Sequence, residues 1–219
     1  MIQAAIFDFD GTLVNTLQNI AGCVRQGLSS IGIEDHTPLE DFRYLVGDGA
    51  DVLLHRLLQR HGRDNPTEFT SARTVFRQAY REDPVRNAEV YDGIPELLAK
   101  LKEQGVKLGV LTNKPHDAAL VCTDRLFGTT FDCCLGQREG VPLKPDPAAG
   151  LEMLHTLCVP PAQAVYLGDT DVDMKTGKAL GALTVGVLWG FRTREELISG
   201  GADLVIEHPL ELLPHLKIQ

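Results

Sequence analysis

Asp8 and Asp10 stand one residue apart behind the apolar run Ala4-Ala5-Ile6-Phe7, and Gly11 and Thr12 follow at once. Four apolar residues bounded by such a turn read as a buried strand, too short for a helix. Both carboxylates then sit at the carboxyl end of the strand, where open parallel sheets place their ligands. Burying two carboxylates there is costly unless a cation or a proton offsets them. The pattern points to chemistry rather than packing. Three more polar clusters share its character: Thr112-Asn113-Lys114 after the run 106–111, Lys144-Pro145-Asp146 ahead of a helical stretch, and Asp169-Thr170-Asp171-Val172-Asp173 after the run 164–167. Strands lying in one sheet would bring all four clusters to one edge.

Hydrophobic periodicity outlines the elements that must position these groups. Between residues 15 and 89 the spacing is helical and no convincing strand is found. Ile20, Val24, Leu28 and Ile31 form one stripe, stopped by Gly32. Val52, Leu53, Leu54, Leu57 and Leu58 form a second, ended by Gly62, and Phe69, Ala72, Val75, Phe76, Ala79 and Tyr80 a third, with a short helix opened by Pro38 between the first two. After Asp92 strands and helices alternate. Strands are expected at 106–111, 132–135, 164–167, 183–188 and 204–206, and helices at 116–127, 147–157, 171–180 and, closing the chain, 209–216. Alternation of this kind predicts an α/β fold, a doubly wound parallel (Rossmann-like) sheet with helices on both faces. Because one strand precedes the helical stretch and the others follow it, residues 15–89 read as an inserted α-helical cap on a catalytic core of 1–14 and 90–219.

At 219 residues the chain can bury a core without staples. A net charge of −9 argues against nucleic acid or an anionic membrane as partner. Five cysteines with no C-x-x-C pair suggest free thiols in a reducing compartment. No apolar stretch approaches the ~20 residues that span a bilayer, and no basic segment precedes the acidic motif. A cytoplasmic protein, monomer or homodimer, acting on a small molecule is the expectation.

In this order the four motifs resemble those of the haloacid dehalogenase-like superfamily, over nearly the whole chain and including the position of the cap. The resemblance is greatest to its phosphoglycolate phosphatase-like group, through Asp10-Gly11-Thr12-Leu13, Val46-Gly47-Asp48-Gly49-Ala50, Thr112-Asn113-Lys114-Pro115, Gly201-Ala202-Asp203 and Pro209-Leu210-Glu211-Leu212. It implies an Mg²⁺-dependent phosphomonoester hydrolase working through an aspartyl-phosphate. Asp8 would be the nucleophile, and Asp10 the acid that serves the leaving oxygen and then activates water. Thr112 and Lys144 would hold phosphoryl oxygens. Mg²⁺ would be ligated by Asp8, the Asp10 main-chain carbonyl and Asp169, with Asp173 supporting them. Asn15 stands where the family usually has aspartate, but it can still cap the following helix.

Elementary electrostatics agrees with that assignment. A carboxylate of ordinary pKa, about 3.9, is ionised at neutral pH and needs no base to attack. Its obstacle is repulsion from the phosphate, on the order of 4 kcal/mol per charge pair at 4 Å and moderate dielectric. The four aspartates carry −4 against +2 from Mg²⁺ and +1 from Lys144, and a proton on Asp10 removes the remainder. Oxygen donors suit Mg²⁺ better than zinc. Gly11 lets main-chain N–H groups approach the phosphate, and Thr12 and Asn113 join it as substrate-side candidates. Residues 15–89 hold nine Arg and no Lys. Arginine suits bidentate capture of a carboxylate such as that of 2-phosphoglycolate, and Arg43 and Arg56, flanking the Gly47–Gly49 loop, are the candidates. Lys114 and Asp171 read as solvated charges, and Trp189-Gly190-Phe191 as core or a wall of the site. Rival readings are a sugar-phosphate or pyrophosphate hydrolase or a phosphomutase of the same superfamily, and a non-catalytic binding protein of this fold.

Overall fold

The computed structural model describes residues 1–216. Strand β1 (Ala4–Phe7) leads through the two-residue β2 (Val14–Asn15) into four helices: α1 (Leu17–Ser29), α2 (Leu39–Phe42), α3 (Ala50–Arg60) and α4 (Pro66–Glu82). The chain returns through β3 (Glu89–Val90) and then alternates. It runs α5 (Ile94–Glu103), β4 (Lys107–Pro115), α6 (His116–Phe127), β5 (Cys133–Gln137) and α7 (Ala148–Leu157). It finishes with β6 (Ala164–Gly168), α8 (Asp171–Leu180), β7 (Leu183–Val187), α9 (Arg194–Gly200) and β8 (Leu204–Ile206).

The six-stranded sheet has the order β5-β4-β1-β6-β7-β8, and every pair in it is parallel. Counting only its own strands, this is the doubly wound order 3-2-1-4-5-6, whose direction reverses beside β1. The expected α/β architecture is therefore present. Successive β1 side chains enter opposite faces: Ala5 and Phe7 join one buried cluster, Ala4 and Ile6 the other. With both faces covered, the strand is apolar throughout, as β1 is.

Helices α1–α4 share a third cluster, built on Val24, Leu28, Leu54, Leu57, Leu58 and Phe76. Gly27 lets α1 approach α4 closely; a Cβ there would lie 2.6 Å from the carbonyl oxygen of Ala72. Asn65 starts α4 by accepting a hydrogen bond from the Glu68 N–H, with Pro66 in the first turn.

Three local expectations need correction. The stretch expected to lack strands is bounded by an antiparallel ladder, Val14 to Val90 and Asn15 to Glu89, too short to show alternation. Strand β4 continues through Thr112, Asn113 and Lys114 to Pro115, where it pairs with Gln137 beyond a register shift. Polar residues disguised that continuation. The closing turn, Pro209–His215, is a 3₁₀ helix with Pro214 inside it, since proline withholds an N–H. Asn15 makes a local bond from the Leu17 N–H to its Oδ1 at 3.3 Å, while Thr16 holds the cap position of α1.

Candidate active site

Three carboxylates meet at the reversal of the sheet. Asp8 follows β1, Asp169 follows β6 and Asp173 lies in the first turn of α8; one oxygen from each falls within 4.8 Å of the others. Each is held differently. Asp169 accepts from the Thr12 hydroxyl and from the Phe191 N–H, both at 2.9 Å. Gly11, at φ +85°, passes so close that a Cβ would lie 2.2 Å from Asp169 Oδ2; no other residue fits there. Asp173 forms a reciprocal capping box with Thr170, whose N–H and hydroxyl donate to Oδ2 at 3.0 and 2.7 Å.

Lys144 enters from the loop between β5 and α7. Its Nζ lies 2.7 Å from Asp173 Oδ1, 2.9 Å from Asp8 Oδ1 and 3.2 Å from the Tyr166 hydroxyl. Among the described residues this ion pair is the one polar contact of the buried Asp8 Oδ1, which takes no further hydrogen bond. Burial pushes the Asp8 carboxyl up to about 7, against the pull of Lys144, and pushes Asp169 well above its ordinary range with help from the neighbouring carboxylates. The same carboxylates raise Lys144 despite its burial. Asp8 is therefore not the ordinary carboxylate assumed from its type; an added cation is needed to hold it fully ionised. Oxygen-only donors, an Asp8 Oδ1 met by a single shared lysine, and excess buried negative charge together fit a hard divalent ion such as Mg²⁺.

The carboxylate of Asp10 stands outside this trio. Its Oδ1 accepts from Thr16 Oγ1 at 2.5 Å and from Lys114 Nζ at 2.7 Å. Among the described residues no group donates to its Oδ2. Lys114 is buried, lies over the rings of Phe9 and Tyr80, and donates to the Tyr80 hydroxyl from α4. Reading it as a solvated charge was wrong, because lysine type and spacing carry no sign of the helix that later covers it. Lys114 also places beside Asp10 a positive charge that the count made from the sequence left out.

A cavity of about 760 Å³ lies over Asp8, Asp10 and Thr112 and is walled in part by α4. Thr112 Oγ1 accepts from the Lys114 N–H at 3.3 Å, leaving its hydroxyl proton uncommitted. Asn113 also borders the cavity, but its amide is committed: Nδ2 donates to Gly47 and Lys144 carbonyls, and Oδ1 accepts from the Lys144 N–H. Thr12 is fully buried and serves Asp169 instead of the cavity.

Arg43 and Arg56 do not line the cavity. Arg43 donates to the carbonyls of Gly190 and Phe191, both at 2.9 Å, fastening the helical unit to the core. Arg56 pairs with Asp48 at 2.5 Å. Nearness to the Gly47–Gly49 loop in sequence placed them wrongly, since a helix sends neighbouring residues to different faces. The arginines that do border the cavity from the helical unit are Arg73, Arg77 and Arg81 of α4. Their spacing of four was a readable signal of a shared face. Tyr166 and Tyr80 gave no such signal; each looked like strand or helix core.

The chain matches the haloacid dehalogenase-like hydrolase family over residues 5–187. It is 32% identical to phosphoglycolate phosphatase from Aquifex aeolicus, covering 97% of this chain and 95% of that one. It is 34% identical to phosphoglycolate phosphatase from Rhodospirillum rubrum, covering 94% and 88%. A crystal structure from Lactobacillus delbrueckii subsp. bulgaricus superposes with a TM-score of 0.88 at 29% identity over 96% of each chain. Fold, strand-end carboxylates and these relatives agree: the chain belongs to the haloacid dehalogenase-like hydrolases.

Proposed function

We propose that this protein is a phosphoglycolate phosphatase, a cytoplasmic hydrolase of a small phosphorylated metabolite working through an aspartyl-phosphate. The observation that carries the reading is Asp8: a nucleophile-capable carboxylate bordering the cavity, its Oδ1 held 2.9 Å from the Lys144 ammonium. Full-length curated relatives bearing that name supply the substrate.

Asp8 attacks phosphorus as the bond to the glycolate oxygen breaks, and Asp10 delivers a proton to that oxygen. Water then attacks the aspartyl-phosphate, its proton passes to Asp10, and Asp8 is regenerated. The unpartnered Oδ2 of Asp10 is the atom available for both transfers, while Thr16 and Lys114 hold its other oxygen. The Thr112 hydroxyl and the charge of Lys144 hold phosphoryl oxygens against repulsion from Asp8. Asp8, Asp169 and the Asp10 main-chain carbonyl would hold Mg²⁺. Asp173 acts beside them because Thr170 and Lys144 already engage its oxygens. The ion supplies positive charge at the transferring phosphoryl group. Residues 15–89 act as a cap that closes over the substrate on the β2–β3 ladder and excludes water.

Phosphate release from 2-phosphoglycolate, compared with a panel of sugar phosphates and a generic aryl phosphate, tests the reading. Preferred turnover of 2-phosphoglycolate is expected. Turnover no faster than that of the aryl ester removes the substrate, and transfer of phosphate between sugar positions identifies a mutase.

A further inference from the structure

The face of α4 that borders the cavity carries a cationic row with unequal partners. Arg73, Arg77 and Arg81 are spaced by four residues, so their side chains leave the same side of the helix about 6 Å apart. All three line the cavity that reaches Asp8 and Thr112. Arg73 takes both oxygens of Asp51 from Nε and Nη2, at 2.8 and 2.7 Å. That fork is the strong geometry for a guanidinium and a carboxylate. Arg77 reaches the same Asp51 only through Nη2, at 3.3 and 3.5 Å, and among the described residues nothing accepts from its buried Nε. Arg81 meets Asp117 at 3.4 Å, with both side chains largely exposed. Three guanidiniums thus face two carboxylates. The surplus is one positive charge, and it falls to Arg77, which shares its only carboxylate with the better-paired Arg73 and keeps an unused donor.

We infer that Arg77 is the specificity-determining residue of this site, its guanidinium receiving a carboxylate on the phosphorylated substrate. The inference rests on the phosphatase reading above and adds the group that selects among phosphate esters. A single surplus charge matches a carboxylate monoanion and not a second phosphate dianion. The partner it displaces is a pair of long contacts, so little is lost when the substrate arrives. An ester without a second anion leaves Arg77 charged and poorly paired in the closed cavity, and that penalty provides the discrimination.

The test compares kcat/KM for 2-phosphoglycolate with that for ethyl phosphate, which lacks only the carboxylate. Loss of a charge-assisted fork predicts that Arg77→Gln lowers this ratio about 30-fold, chiefly through KM, with Arg77→Lys recovering part of it. Arg60→Gln, at the exposed end of α3, is the matched control. A ratio unchanged in Arg77→Gln, whether both substrates fall together or neither does, overturns the inference. The wild-type protein supplies an arm that no folding defect can spoil: phosphonoacetate should inhibit aryl phosphate hydrolysis about 30-fold more tightly than methylphosphonate. Equal inhibition overturns the inference, and tighter inhibition by methylenebisphosphonate overturns the choice of a carboxylate. A wild type that cleaves ethyl phosphate as well as 2-phosphoglycolate refutes the role of Arg77 while leaving phosphatase chemistry standing. A wild type that cleaves no ester removes the reading beneath it.

Discussion

The carboxylate pocket at the sheet edge and the arginine face of α4 border one cavity and are built on opposite principles. In the pocket Asp169, Asp173 and Lys144 are buried, and each makes close polar contacts; the least satisfied oxygen among the described residues there belongs to Asp8, the residue proposed to react. On α4 the charges are partly exposed, Arg73 and Arg77 share one carboxylate, and contact lengths run from 2.7 to 3.5 Å. Rigid, over-determined groups suit a reaction whose geometry must not vary. A looser face with surplus charge suits selection, because it can accept a partner the protein does not itself supply. Lys114 joins the two regions, bonded to Asp10 on one side and to Tyr80 of α4 on the other.

The sharpest way to break this contrast is Asp8→Asn. It should lower phosphate release by at least roughly 10⁴-fold while circular dichroism shows the fold intact. Unchanged release would mean that the pocket is not the reactive region. Removing divalent metal with EDTA should also abolish turnover, and Mg²⁺ should restore it. The same ion should stabilise the fold by about 2.7 kcal/mol at a hundred times its dissociation constant. That stabilisation should grow with pH. The folded Asp8 pKa of about 7 lies above its ordinary 3.8, so between those values the unfolded chain releases a proton that the folded chain keeps. Asp8 therefore weakens the metal-free fold as pH rises through that window, and a cation that accepts the carboxylate reverses the loss. Melting temperatures with and without Mg²⁺ at about pH 5 and pH 7.5 check the direction. A larger shift at the lower pH would contradict it.

The junction between the regions comes next. Lys114→Met strands Asp10 without its cation and should cost about 3 kcal/mol in denaturant unfolding, with kcat falling more than KM rises. Tyr80→Phe removes only the hydroxyl on the α4 side and should cost about 1 kcal/mol. If it lowers kcat as far as Lys114→Met does, the coupling runs mainly through α4. The smallest effect belongs to Arg56→Ala, which loses a part-exposed ion pair worth under ~1 kcal/mol. A large rise in KM there would return Arg56 to the substrate site and blur the contrast with α4.

Much of the core could be read from the chain alone. Asp8 and Asp169 follow short apolar runs, and period-two burial with helical alternation dictates a parallel sheet whose strand ends converge. Gly11 was legible too, although the reason for it is the carboxylate of Asp169 and not the phosphate alone. What resisted reading shares one property: its meaning depends on a contact far away in sequence. Lys114 and Tyr80 are 34 positions apart, and Thr12 and Asp169 are 157 apart. Asn113 became a clamp only once Gly47 and Lys144 met it. Arg43 and Arg77 are the same residue type in the same helical stretch, but one fastens backbone carbonyls and the other borders the cavity. Local order follows from propensity and periodicity, which neighbours in the chain already specify. A charged side chain takes its role from the partners and the dielectric around it, and those exist only after distant segments have packed.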